Sequence, residues 1–327
     1  MVVGRPRRSS RAIFVGGRSR GTAACALLLL FGSVLLCGCL PRRPERQAVS
    51  GAENRSEFPV TLTDATGREV SLSAKPLRVV SIAPTATEVV CALGAGDRLV
   101  GVTTFCNYPA EVAQKEKVGD YSNPSIEKIA SLKPDIVVGD FVHTELASRL
   151  GGLGIPSLLL NSRGVSDAVS AVRLVGRALG ESEAAESVSR AMESRVRRIT
   201  DKLAAASDRS RPTVFHLMWH EPIMTSGPGT IMDDLIALAG GVNVAADAKT
   251  LYPEYSLEAL FAKDPDVIVY TIHSAPLEIA LKGWTRLRAV KEGRVFLLTD
   301  DLVSRAGPRI VDGLEELARA LHPSLFE

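Results

Sequence analysis

The chain has 327 residues, of which 39 are Lys or Arg and 37 are Asp or Glu. That length supports two domains with separate cores, and a composition of 46% hydrophobic and 23% charged residues is that of a globular protein, not a disordered or fibrous one. Five cysteines exclude a disulfide-dense scaffold.

The first 39 residues stand apart. Residues 1–20 carry Arg5, Arg7, Arg8, Arg11, Arg18 and Arg20 and no acid. A charge-free apolar run follows from Ala23 to Leu36 and ends in Leu36-Cys37-Gly38-Cys39. That order predicts a signal peptide. An uncleaved membrane helix is the alternative, although the run is short for a span of about 20 residues. The ending resembles a bacterial lipobox, with Cys39 as the lipidated residue; Cys37 is the weaker candidate because bulky Leu36 precedes it. The expectation is a signal peptide over 1–38, a lipidated tether over 39–56, and an exported protein, lipid-anchored and facing the periplasm or the cell exterior. A multi-chain anchor holds a protein to a bilayer more firmly than one acyl chain. Six of the basic residues leave with the signal, so 33 remain against 37 acids. No basic stripe is left to argue for nucleic acid.

Residues 40–56 are rich in Pro, Arg, Glu, Ser and Gly and read as a tether. Val60 to Leu72 alternates around Asp64 to Gly67 and predicts a β-hairpin. From Arg78 the pattern becomes strand–helix alternation, with strands at Arg78–Ile82, Leu99–Thr103, Asp135–Val138 and Ser157–Leu160. That implies a parallel sheet with helices between its strands. Glu181 to about Ser207 has no Gly or Pro. Its apolar Val188, Met192, Val196, Ile199 and Leu203 recur at steps of three and four, which predicts one long helix. Pro212 opens a second alternation with strands near Thr213–Met218, Asp266–Tyr270 and Arg294–Leu298. Ile310, Leu314, Leu317 and Leu321 mark a closing helix behind Pro308.

One block occurs twice. Ile126-Glu127 to Val138 returns 131 residues later as Leu257-Glu258 to Val269. Each copy has a Ser cap, a Glu in the first helical turn, a Pro-Asp break and a β-branched strand. Thr87 to Gly96 likewise parallels Met232 to Gly241. The duplication implies two similar lobes: residues 57–180, then a connecting helix over 181–208, then 209–327. A cleft between such lobes is a favoured ligand site.

Standard catalytic signatures are missing: no phosphate-binding Gly-x4-Gly-Lys-Ser/Thr, no His-Glu-x-x-His, no Gly-x-Ser-x-Gly. Gly227-Pro228-Gly229-Thr230 is either an anion cradle before a helix or an ordinary tight turn. His216 and His220 lie on a strand and its exit, where a spacing of four is only suggestive of a metal site and packed or solvated rings are the default reading. No catalytic or metal-binding residue is assigned. Aromatic and Met residues gather instead at predicted strand ends: Phe105, Tyr108, Tyr121, Met218, Trp219 and Tyr252. Ligands of open α/β sheets bind there; ordinary core packing is the competing reading. Glu127 and Glu258 are explained by helix capping and dipole alone. Cys91 and Cys106 form either a disulfide or two free thiols.

Arg78 to Glu88, Ala92-Leu-Gly, Val100-Gly-Val, Cys106-Asn-Tyr108-Pro109 and Val118 to Glu127 together resemble the substrate-binding proteins of ABC importers. The resemblance runs from about Pro59 to His322. Within them the chain is similar to the class with a helical backbone between two Rossmann-like lobes (class III), whose members take up vitamin B12, ferric siderophores and haem. Thr225-Ser-Gly227, Ala239 to Asn243, Tyr252-Pro253 and Arg305 to Arg309 point toward its vitamin B12-binding branch. The resemblance implies a non-enzymatic, monomeric protein whose ligand is cobalamin or another metal chelate. It places ligand contacts at Phe105, Tyr121, Met218, Tyr252, Asp301 and Arg305, with Trp219 compensating beside Met218. It also turns Glu127 and Glu258 into docking groups for arginines of an ABC permease, which works with a nucleotide-binding subunit. Smaller or softer groups replace expected large aromatics at Tyr121, Met218 and Tyr252, and Leu302 replaces another. A ferric siderophore or haem is therefore the alternative cargo, and an exported metal chelatase the alternative class.

Overall fold

The computed structural model describes residues 57–206, 210–271 and 283–326. The signal peptide, the tether and Cys39 lie outside them. Val60–Thr63 (β1) and Glu69–Leu72 (β2) form the expected antiparallel hairpin. Asp64 secures its turn by accepting from Thr66 and Arg68, and its Oδ2 reaches the Leu159 amide.

The first αβ series follows: Val79–Ser81 (β3), Pro84–Ala92 (α1), Leu99–Val102 (β4), Glu116–Lys117 (β5), Ile126–Ser131 (α2), Ile136–Asp140 (β6), Thr144–Gly152 (α3), Ser157–Leu160 (β7) and Val165–Leu179 (α4). The strands make one parallel sheet in the order β5-β4-β3-β6-β7. Both faces are covered by helices, so β6 and β7 are buried along their whole length and read as continuous apolar runs.

The long helix, Ser182–Ala205 (α5), has 24 residues, about 36 Å at 1.5 Å per residue. It packs along α4, where Gly176 lets the two backbones meet: a Cβ there would lie 2.2 Å from that of Ala185. Arg173 pairs with Glu186 and Glu193 across the same seam.

The second series is Thr213–Leu217 (β8), Trp219–His220 (β9), Ile223–Met224 (β10), Ile231–Leu238 (α6), Val242–Asn243 (β11), Leu257–Lys263 (α7) and Val267–Tyr270 (β12). Arg288–Lys291 (α8), Val295–Leu297 (β13), Asp300–Val303 (α9) and Ile310–Leu321 (α10) complete it. Its parallel sheet runs β11-β8-β12-β13. In both sheets the first strand lies between the second and the third main strands, so the sequence repeat is also a repeat of topology. The first lobe adds β5 at its edge. The second inserts the β9–β10 hairpin after its first strand.

One apolar core joins the lobes. Val89 of α1, Val172 of α4, Met192 of α5, Leu235 of α6 and Leu317 of α10 belong to the same buried cluster. Polar ties reinforce it. Asp234 of α6 accepts from the Val165 amide at the start of α4, 2.8 Å away. Arg195 of α5 reaches Asp312 and Glu315 of α10.

Candidate functional site

The strand order reverses at β3, and the crevice outside the carboxyl ends of such a sheet is where ligands bind. A cavity of about 950 Å³ opens there, between the two lobes. Every strand of the first sheet delivers a loop to it. The turn after β3 brings Pro84 and Thr85, that after β4 brings Phe105 and Asn107, and that after β5 brings Tyr121. Asp140 ends β6 and Phe141 follows it, and Ser162 and Arg163 follow β7. The opposite wall comes from the start of α6 at Gly229 and Thr230, from Leu251 and Tyr252 after β11, and from Asp301 and Arg305 after β13. Thr230 is the N-cap of α6 and accepts from the Asp233 amide. The Gly227 to Thr230 turn therefore lines the cavity and caps a helix.

A buried histidine fixes part of the first wall. The Asp140 amide donates to His143 Nδ1 at 3.1 Å, so the ring proton sits on Nε2 and meets the Tyr121 carbonyl at 2.7 Å. The Tyr121 ring packs edge-on against the same imidazole, with centroids 5.0 Å apart. Burial raises the phenol pKa of Tyr121, and the nearby Asp140 charge adds to it. The same two causes raise that of Tyr252 on the facing wall. Asp140 is itself buried, which raises its pKa against the lowering effect of the Ser162 hydroxyl that donates to Oδ2 at 2.6 Å. The backbone amides of Phe141 and Val142, in the turn that follows, also pull its pKa down. Arg163 stacks over the Phe141 ring at 5.5 Å.

On the other wall, Arg305 is held on all sides. It meets Glu88 at 3.0 Å, Asp301 at 2.5 Å and the Asn107 side-chain Oδ1 at 2.8 Å. Glu88, on α1 of the first lobe, also takes two bonds from Arg309. The Arg309 guanidinium lies 3.7 Å above the Tyr108 ring.

Five residues singled out in the sequence thus share the cavity: Phe105, Tyr121, Tyr252, Asp301 and Arg305. Three do not line it. Tyr108 packs under Arg309, one layer away. Met218 and Trp219 enter the β9–β10 hairpin: the Met218 amide bonds the Met224 carbonyl, and exposed Trp219 donates its indole hydrogen to the Glu221 carbonyl. Glu88, Asn107, Asp140, Arg163 and Arg309 were not read from the sequence. Asp140 and Arg163 could have been, since both lie at the carboxyl ends of parallel strands, Asp140 closing β6 and Arg163 three residues past β7.

Glu127 and Glu258 occupy matching places. Ser125 and Ser256 cap α2 and α7, accepting from the amides of Lys128 and Ala259. Both glutamates are exposed, and among the described residues neither forms an ion pair. Backbone and Ser125 hydrogen bonds lower the pKa of Glu127. Cys91 and Cys106 are free thiols; buried Cys106 sits between the hydroxyls of Thr87 and Thr103. Among the described residues no group of three or more His, Cys, Asp or Glu is placed to hold a metal ion, and no helix is long and apolar enough to cross a membrane.

Residues 79–302 match the family model described as periplasmic binding protein. An uncharacterized ABC transporter substrate-binding lipoprotein of Bacillus subtilis (strain 168), YvrC, is 35% identical over 307 residues, covering 91% of this chain and 96% of that one. The crystal structure of the periplasmic vitamin B12 binding protein BtuF of Vibrio cholerae superposes with a TM-score of 0.68 at 27% identity, covering 77% of this chain and 99% of that one. A periplasmic heme binding protein from Pseudomonas aeruginosa gives a TM-score of 0.68 at 30% identity, over 76% of this chain and 94% of that one.

Proposed function

The chain belongs to the periplasmic binding protein family, and from that membership we propose that it captures a corrinoid, cobalamin, outside the cytoplasm and delivers it to an ABC permease. It is an ABC-transporter substrate-binding protein with the class III fold, in the group whose relatives are named for vitamin B12 and haem.

The observation that carries the corrinoid reading is the balance of groups on the cavity wall. Phe105, Tyr121 and Tyr252 offer flat aromatic faces to a large rigid macrocycle. Among the described residues the charged groups are Asp140, Asp300 and Asp301 against Arg163 and Arg305, and Arg305 is already committed to Glu88, Asp301 and Asn107. A ferric tris-catecholate carries several negative charges and would face more acids than available cations. A corrinoid is nearly neutral and rimmed by amides, and suits such a wall. Haem is the second reading, favoured by two phenols, Tyr121 and Tyr252, on opposite walls.

The machine around this step has four parts. Cys39 carries a lipid anchor, the protein acts as a monomer, Glu127 and Glu258 meet arginines of the permease, and a separate nucleotide-binding subunit uses ATP. The chain itself performs no catalysis. Equilibrium dialysis against cyanocobalamin, haemin and a ferric tris-catecholate tests the cargo. Saturable one-to-one binding of cyanocobalamin at micromolar concentration or below is expected, with weaker uptake of the others. Absence of saturable cyanocobalamin binding ends the corrinoid reading.

A further inference from the structure

Among the described residues two arginines line the cavity, Arg163 and Arg305, and they differ in what they have left to offer. Arg305 has carboxylate or amide oxygens on it from Glu88, Asp301 and Asn107. Bringing an anion to it would break an ion pair with Glu88 that is buried between the lobes. Arg163 forms no ion pair with any described side chain, and only its backbone amide is taken, by Asp167 at 3.0 Å.

The surroundings of Arg163 hold it ready. Its guanidinium carbon lies over the Phe141 ring, 5.5 Å from the centroid, a cation–π approach that leaves the N–H groups of the fork open. Ser162, the residue before, is tied to Asp140, the residue before Phe141, at 2.6 Å. The two loops are thereby clamped as one unit at the ends of β6 and β7, which pair through Asp140 and Leu160. The acids near this loop act on other groups. Asp234 accepts from the Val165 amide and Asp167 from the Arg163 amide, so the start of α4 already holds two carboxylates. Asp140 would repel an anion placed beside it. Across the cavity stands Tyr252, whose pKa burial and Asp140 raise and the Arg163 charge partly offsets.

We propose that Arg163 is the specificity-determining cation of the cavity, taking the phosphodiester of the ligand's nucleotide loop while Arg305 serves to hold the lobes together. This rests on the corrinoid reading. Arg is suited to the task because its fork matches two phosphate oxygens at once, a charge-assisted arrangement stronger than neutral hydrogen bonds.

The test compares cobalamin with cobinamide, which keeps the corrin ring and lacks the phosphodiester and its nucleotide. Binding of both is measured for the wild type, Arg163→Ala and Arg163→Lys. Arg163→Ala should weaken cobalamin about tenfold and leave cobinamide unchanged; Arg163→Lys should recover part of the loss, since it restores charge but not the bidentate fork. Arg163 is exposed, so both variants are expected to fold, which thermal unfolding checks. Equal weakening of both corrinoids, or of neither, overturns the assignment and leaves the corrinoid reading intact. Failure of the wild type to bind either corrinoid overturns both.

Discussion

The carboxylate of Glu88 accepts Nε and Nη2 of Arg309, 221 residues further along the chain, at 2.9 and 2.6 Å. It accepts Arg305 as well, so one acid on the first lobe holds two cations of the second. Glu88 is 3% exposed. Removing one member of a buried ionic cluster leaves uncompensated charge and costs about 3–5 kcal/mol. Glu88→Ala should therefore lower unfolding free energy by about that amount, read from urea denaturation, and Glu88→Gln by less because it keeps hydrogen-bond acceptance. An equally stable Glu88→Ala protein would show that the Glu88 cluster adds nothing to the apolar core and the other polar ties that join the lobes.

The paired glutamates make a separate prediction. Glu127 and Glu258 sit in first helical turns, exposed and outside the cavity. Reversing both to Lys should leave cobalamin affinity unchanged and abolish transport in cells that depend on this importer. Transport that survives the double reversal would reduce these residues to favourable charges at helix N-termini.

The two lobes and their duplication were legible because β-branched runs, Ser caps and Pro-Asp breaks are local signals. The long helix was legible for the same reason, through its steps of three and four. The cavity was legible in part: attention to aromatics at strand ends found Phe105, Tyr121 and Tyr252. It also singled out Met218 and Trp219, which sit at the β9–β10 hairpin and do not line the cavity; β9 and β10 have two residues each, too few to show alternation. That hairpin turns back before the chain reaches the cavity. Glu88 was missed for a different reason. Its partners are more than 200 residues away, and no local pattern announces a contact at that range. A single acid among Val89, Val90 and Ala86 on an otherwise apolar helix was the available signal, since a buried carboxylate needs a cation.

The tyrosines can separate the two cargo readings. If Tyr121 and Tyr252 act through their ring faces on a corrin, Tyr121→Phe and Tyr252→Phe should bind cobalamin like the wild type. Tyr121→Ala should lose about tenfold, since an aromatic buries substantial area against its ligand. A large loss with the Phe variants would point to the phenol oxygens, and so toward haem. Parallel titrations of cyanocobalamin and haemin decide this.

Acid sensitivity should trace to His216. Its ring is fully enclosed on β8, with Nδ1 2.8 Å from the Ser226 hydroxyl and Nε2 3.1 Å from that of Thr271. Burial lowers its pKa from 6.5 to about 4. Between those values the unfolded chain binds a proton that the folded chain refuses, so acid favours unfolding. The contribution is fully present above pH 6.5 and falls away as pH drops toward 4. At 1.36 kcal/mol per pH unit the loss is about 3 kcal/mol over that window. His216→Gln, which can still bond both hydroxyls but does not titrate, should show a flatter decline in unfolding free energy between pH 7 and 4.5. Urea midpoints of both proteins across that range measure it, and parallel curves would remove His216 as the cause.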